Sequence, residues 1–209
     1  MPPDAIEILD RATVYRGYFR IDRYRLRHRT FAGGWTGEMI REVFERGHAV
    51  AVLLYDPERD QVVLIEQFRI GAHAAGRNAW LLEIVAGVVN TGESPEEVAL
   101  RETREETGCT ATAPIHICDY FPSPGVSSES IGLFCARVDA GTAGGIHGLA
   151  HEQEDIRTVI MSSDDAIALL DQGTLDNSAI IIALGWLART RDRLRTAWPD
   201  GPARAMSAC

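Results

Sequence analysis

The sequence predicts an α+β fold or a mixed-sheet sandwich, on three observations. Short β-branched, apolar runs recur along the chain, among them HAVAVLLY at 48–55, QVVLIEQF at 61–68 and WLLEIVAG at 80–87. Helical patterns are few, and they do not alternate strictly with strands as a doubly wound parallel sheet requires. At 209 residues, the chain can bury a substantial single core, or one domain with a smaller appendage.

Taken in order, the first third is strand-like: TVYRGYFRIDRYRLRHR, a turn at Ala32-Gly33-Gly34, then GEMIREVFER. The runs 48–55 and 61–68 are joined by DPERD, a hairpin signal. WLLEIVAG reads as one strand, followed by the polar loop VVNTGE. A helix follows from Ser94, which can cap it, with Pro95 at its first position and Glu97 completing a capping box. Gly108 offers a left-handed residue at its end. Further strands are expected near 115–121, 129–138 and 156–161. Helices are expected over 163–173, after a Ser/Asp cap signal, and over 177–194, capped by Asn177. The tail after Trp198 is expected to fray.

Composition excludes several functions. A net charge of −9 argues against a general nucleic-acid binder, which needs excess positive charge for phosphates. Seven arginines between residues 11 and 29 are interleaved with aromatics, which superficially suggests single-stranded nucleic acid, but edge strands commonly carry charge to prevent aggregation and the rest of the chain is acidic. There is no lysine, so a Walker A lysine, a Schiff-base lysine and a lysine base are all excluded. No apolar stretch reaches the roughly 18–20 residues of a membrane span, and MPPDAIEILD lacks a signal-peptide apolar region. Cys109, Cys118, Cys135 and Cys209 form no CxxC pair, so a zinc knuckle or disulfide framework is not indicated and a reducing, cytoplasmic setting fits. His147 and His151 flank GLA without a suitably spaced third ligand.

The glutamate helix carries the chemistry. Glu102, Glu105 and Glu106 fall at i, i+3 and i+4, where like charges oppose helix formation by roughly 0.2–0.5 kcal/mol per pair. They also sit in the last two turns, where the helix end is already partially negative. A solvated acidic face is the plain reading of such a run. A cation at this end would offset both penalties, and Mg²⁺ favours carboxylate oxygens.

From Gly87 the chain runs through five residues to Glu93, then seven more to Arg101-Glu102-Thr103-Arg104-Glu105-Glu106-Thr107-Gly108-Cys109. This resembles the Nudix box, the signature of hydrolases acting on nucleoside diphosphates linked to another moiety. Thr103 and Cys109 stand where the pattern is usually apolar. The similarity spans nearly the whole chain and looks most like the bacterial ADP-ribose pyrophosphatase subgroup, through LIEQFR, WLLEIVAG, SPG, GIHGLAHEQEDI and the terminal helix pattern. Pro124, about fifteen residues past the box, matches the proline that marks that subgroup.

The resemblance implies a Nudix fold, an α/β/α sandwich over residues 48–209, after an N-terminal β domain over 1–47 that dimerises, with strands exchanged or interlocked. It implies Mg²⁺ (with Mn²⁺ able to substitute) on Glu102, Glu106 and the Ala86 carbonyl, Glu105 as a weaker or alternate ligand, and Arg101 orienting Glu105. By the same similarity, Tyr18 stacks on adenine, and Arg41 and Glu42 serve the partner's site. Arg69, Val88 and Glu129 lie on the substrate side. A carboxylate on TAGGIHGLAHEQEDI acts as general base, at Glu152 or else Glu154. The expected reaction is hydrolysis of ADP-ribose to AMP and ribose 5-phosphate by a homodimer. Another sugar nucleotide such as GDP-mannose is the nearest alternative, and a non-catalytic ADP-ribose sensor the more remote one.

Overall fold

The computed structural model describes residues 5–198. The tail beyond Trp198, expected to fray, lies outside these residues, as does Cys209. Two compact units emerge. One comprises the described residues of Met1–His48 with Phe121–Ser130, the other those of Ala49–Tyr120 and Ile131–Cys209.

The first unit is an antiparallel sheet of β1 (Ile6–Arg16), β2 (Arg20–His28) and β3 (Met39–Glu45), in that order. The run TVYRGYFR is therefore a hairpin, and Tyr18 sits 94 % exposed in its turn. The turn before β3 uses Gly33 and Gly34 at φ 92° and 85°, where glycine escapes the Cβ penalty. The segment 121–130 joins this sheet through Phe44, whose amide donates to the Val126 carbonyl at 2.8 Å.

The second unit is a layered sandwich. Its eight-stranded sheet follows the order β10 (Ile146–His147), β11 (Ile156–Ser162), β5 (Gln61–Phe68), β4 (Ala49–Asp56), β9 (Ile131–Arg137), β8 (Thr112–Tyr120). Two shorter strands, β6 (Trp80–Glu83) and β7 (Val85–Val88), pair with β5 and β4. The β4–β9 pair is parallel and the others antiparallel, so the sheet is mixed. Alternation along β4 divides the core. Ala51, Leu53 and Tyr55 pack with α3 (Ser163–Asp171) and α4 (Ser178–Ala197), whereas Val50, Val52 and Leu54 pack with α2 (Pro95–Thr107). Each Leu or Ile so buried contributes roughly 1.5–3 kcal/mol.

WLLEIVAG departs from the single strand expected of it. Leu54–Asp56 of β4 pair with β5, while its earlier residues pair with β7; the later residues of β5 pair with β6. The run must serve two diverging strands, so it breaks at Ile84, which is 1 % exposed. A short helix, α1 (Ile70–Ala74), also forms where the sequence offered no periodic signal.

Candidate active site

Helix α2 begins as its punctuation requires. The Ser94 hydroxyl accepts from the Glu97 amide at 3.3 Å, and the Glu97 carboxylate accepts from the Ser94 amide at 2.8 Å. Gly108 ends the helix at φ 70°. Between them, the break in WLLEIVAG lays β7 against the glutamate face. A Cβ built on Gly87 would fall inside the Glu102 carboxylate, so any side chain here would displace that carboxylate from its present place.

Glu106 is 3 % exposed, and its carboxylate accepts from the Ala86 amide at 3.2 Å. Burial pushes its pKa up to about 9, the nearby Glu102 charge adds to this, and the Ala86 amide and Arg69 only partly oppose it. Burial raises Glu102 as well, against the pull of Arg101. Arg101 is the hub of the surrounding charges. Its Nε and Nη2 donate to the two Glu93 oxygens at 2.8 and 3.1 Å, and its Nη1 donates to Glu102 at 2.8 Å and Glu105 at 2.9 Å. Its own pKa is raised, chiefly by Glu93, so it stays a fixed cation.

This donor set fits a hard divalent cation. Two acidic side chains and a backbone carbonyl on one strand lie at a helix end, and one acid is buried without a counter-charge of its own. Among the described residues, no group of three or more His, Cys, Asp or Glu is arranged to hold a metal, and Glu105 is engaged by Arg101.

The remaining expected residues divide between the units. In the same unit as α2, Arg69 donates from Nε and Nη2 to Glu83 at 2.9 and 2.6 Å; burial works against its charge, but Glu83 outweighs this and raises its pKa. Val88 ends β7, 43 % exposed. Glu154 is close enough for its charge to raise both Glu102 and Glu106, and its carboxylate accepts from the Leu149 amide at 3.1 Å. Glu152 points into solvent on a 3-10 turn, beside His151. In the N-terminal unit, Tyr18, Arg41 and Glu42 are exposed, while Glu129 is buried and pairs with Arg46 at 3.2 Å. Sequence reasoning passed over Glu83, which is 2 % exposed and also accepts from Asn177 Nδ2 at 2.9 Å. A lone acid inside an apolar strand was the available signal.

Residues 45–183 match the family model described as NUDIX domain. The ADP-ribose pyrophosphatase of Escherichia coli (strain K12) is 47 % identical over 193 residues, covering 92 % of each chain. The GDP-mannose pyrophosphatase of Cronobacter sakazakii is 35 % identical over 156 residues, 71 % of this chain and 78 % of the relative. A crystal structure described as an ADP compounds hydrolase matches with a TM-score of 0.67 at 22 % identity, covering 88 % of this chain and 95 % of the other, which speaks to the fold.

Proposed function

We propose that this chain, which belongs to the NUDIX domain family, is a hydrolase that cleaves the diphosphate of ADP-ribose to AMP and ribose 5-phosphate. The observation that carries the reading is the buried Glu106 beside Glu102 at the end of α2, an acid pair left short of positive charge, on a chain 47 % identical to an ADP-ribose pyrophosphatase.

Glu102, Glu106 and the Ala86 carbonyl would hold Mg²⁺, or Mn²⁺ in its place, which when bound neutralises charge on the diphosphate oxygens. Arg101 keeps Glu102 and Glu105 from turning away, by hydrogen bonds within ordinary range. Arg69, held by Glu83, presents a guanidinium to a phosphate oxygen. Glu152 takes a proton from the attacking water, with Glu154 as the alternative base. Tyr18 stacks on adenine, and Glu129 and Val88 border the substrate.

The working enzyme is a cytoplasmic homodimer, with the N-terminal β unit, residues 1–47 by the sequence boundary, as its dimerising part and the remainder as the hydrolase domain. Ile6, Ile8, Val14, Tyr15 and Ile40 are all exposed on this small sheet, which supports a covered face. Arg41 and Glu42 serve the partner's site. Among the described residues, no helix is long and apolar enough to cross a membrane.

A panel of nucleotide sugars with Mg²⁺ tests the activity. ADP-ribose should release AMP faster than GDP-mannose releases GMP, and the reverse order would move the assignment to the other pyrophosphatases of the family. Sedimentation showing an active monomer at micromolar concentration would remove the dimer.

A further inference from the structure

The glycine-rich segment 144–148 has no role in the reaction as described, yet it is fastened to the end of helix α2. The Gly148 amide donates to the Glu105 carbonyl at 3.2 Å, satisfying one of the last-turn carbonyls that a helix leaves without an internal partner. One residue earlier, the His147 ring lies against Gly108. A Cβ built on Gly108 would stand 2.8 Å from His147 Cε1, so the last glycine of the box both supplies the left-handed cap and makes room for this imidazole. His147 Nε2 lies 2.8 Å from the Gly144 carbonyl, which assigns the proton to that nitrogen and fixes the ring.

The loop beyond is closed on itself. Leu149 donates its amide to Glu154, and its carbonyl accepts from the amides of Glu152 and Glu154 at 2.9 and 3.3 Å. Gly148 sits at φ 103°, and a Cβ there would come within 2.6 Å of Glu154 Cβ. Pairing of Ile146 and His147 with Arg157 and Ile156 closes the base of the hairpin. The loop that bears Glu152 and Glu154 therefore meets the glutamate helix at a defined joint: imidazole on glycine, amide on carbonyl.

We infer that His147 is a positioning residue. It seats on Gly108 and sets the register in which the acidic loop stands against Glu102 and Glu106. The inference rests on the proposed hydrolysis, in which a carboxylate of this loop is the base. Outer-shell groups that orient metal ligands typically cost about 10–100-fold when removed, and a residue that orients the base is expected to fall in the same range.

The test combines kinetics on ADP-ribose with amide hydrogen exchange on the metal-free protein. His147→Ala should lower kcat by about 10–100-fold with KM within about twofold, and His147→Gln, which can keep a donor to Gly144, should recover part of the loss. Combined with whichever of Glu152→Gln and Glu154→Gln loses more kcat, His147→Ala should add little, since both act on one step. Exchange of amides 148–154 should quicken in His147→Ala while that of α2 does not. Unchanged kcat, a loss that multiplies with the base variant, a Tm drop with faster exchange throughout α2, or unaltered exchange in the loop would overturn the assignment. A wild-type protein that releases no AMP would instead defeat the functional reading, and the exchange comparison would still decide the joint.

Discussion

Asp22 and Glu106 are both acids almost sealed from water, 2 % and 3 % exposed, and the protein treats them in opposite ways. Asp22, on β2, accepts from Arg11 Nε and Nη2 at 3.1 and 2.6 Å and from the Thr13 hydroxyl at 2.8 Å, with Arg20 Nε 3.0 Å away. Arg11 foremost holds its pKa below the ordinary carboxylate range. Glu106 receives one amide, and burial drives it up to about 9. Glu83 resembles Asp22 in having partners, Arg69 and Asn177. A buried acid that the fold completes is part of the scaffold. One that the fold leaves short of partners awaits something else, and that makes it the better site marker.

The largest expected effect breaks the pair apart by function. Glu106→Gln or Glu102→Gln should cut turnover at saturating Mg²⁺ by at least about 100-fold, because even groups behind metal ligands cost 10–100-fold. Thermal stability of the metal-free protein should hold or rise, since the cost of burying an acid short of partners is gone. Asp22→Asn should do the reverse, lowering Tm while the folded fraction keeps its kcat. Near wild-type rates in either glutamate variant would show that Glu106 is only a poorly solvated acid.

Next in size, Glu152→Gln should lower kcat by roughly 10²–10⁴ with little change in KM or in the Mg²⁺ requirement. The two loop acids differ in surroundings: Glu152 stands in solvent, while Glu154 staples Leu149 and faces the glutamate pair. If Glu154→Gln shows the greater kcat loss while Glu152→Gln stays active, the base lies two residues along.

The same contrast has a pH signature. Glu106 titrates near 4.5 when unfolded and near 9 in the folded, metal-free protein. The folded state thus holds its proton more tightly, and the resulting stability is full below about 4.5 and lost as pH rises toward about 9. Asp22 has the opposite sign, contributing above its ordinary 3.8 and losing that contribution as pH falls through its depressed value. In a chelator, Tm should therefore decline on both flanks. Glu106→Gln should flatten the alkaline flank and Asp22→Asn the acid one, and Mg²⁺ should raise Tm more at pH 8 than at pH 5. An alkaline flank that persists in Glu106→Gln would assign it to another group.

Much of this was legible in the sequence because it is local. Capping residues, the glycine at the helix end and the i, i+3, i+4 glutamates are fixed by spacing along one helix, and Ser94, Gly108 and Glu102 lie as that spacing demands. What required coordinates was non-local. The division of WLLEIVAG depends on two strands that part company, and the burial of Asp22 depends on arginines 11 residues before it and two before it. The partner that holds Arg69, Glu83, is an acid in an adjoining strand, 14 positions away in the chain. His147 looked idle because the glycine it rests on lies 39 positions earlier in the chain.

The smallest expected effect concerns Thr103, where the box pattern is usually apolar. Its side chain is fully buried, and its hydroxyl donates to the Ala99 carbonyl at 2.7 Å, one turn back along α2. That carbonyl belongs to the helix interior and keeps its backbone partner if the hydroxyl is removed, so no buried acceptor is orphaned. Thr103→Val replaces a polar atom with a methyl of similar shape at a fully buried position. The lost hydrogen bond and the relieved desolvation nearly cancel, and the net change should stay within about 1 kcal/mol of either sign. The hydroxyl bond to i−4 also tends to bend a helix, so its removal alters the curvature on which the placement of the glutamates depends. Denaturant melts and kcat measured together separate the two. A stability change near zero with unaltered kcat makes Thr103 a tolerated packing variant, like Asp22 part of the scaffold. A clear kcat loss at constant stability would instead make the curvature of α2 a condition of the site that holds Glu106.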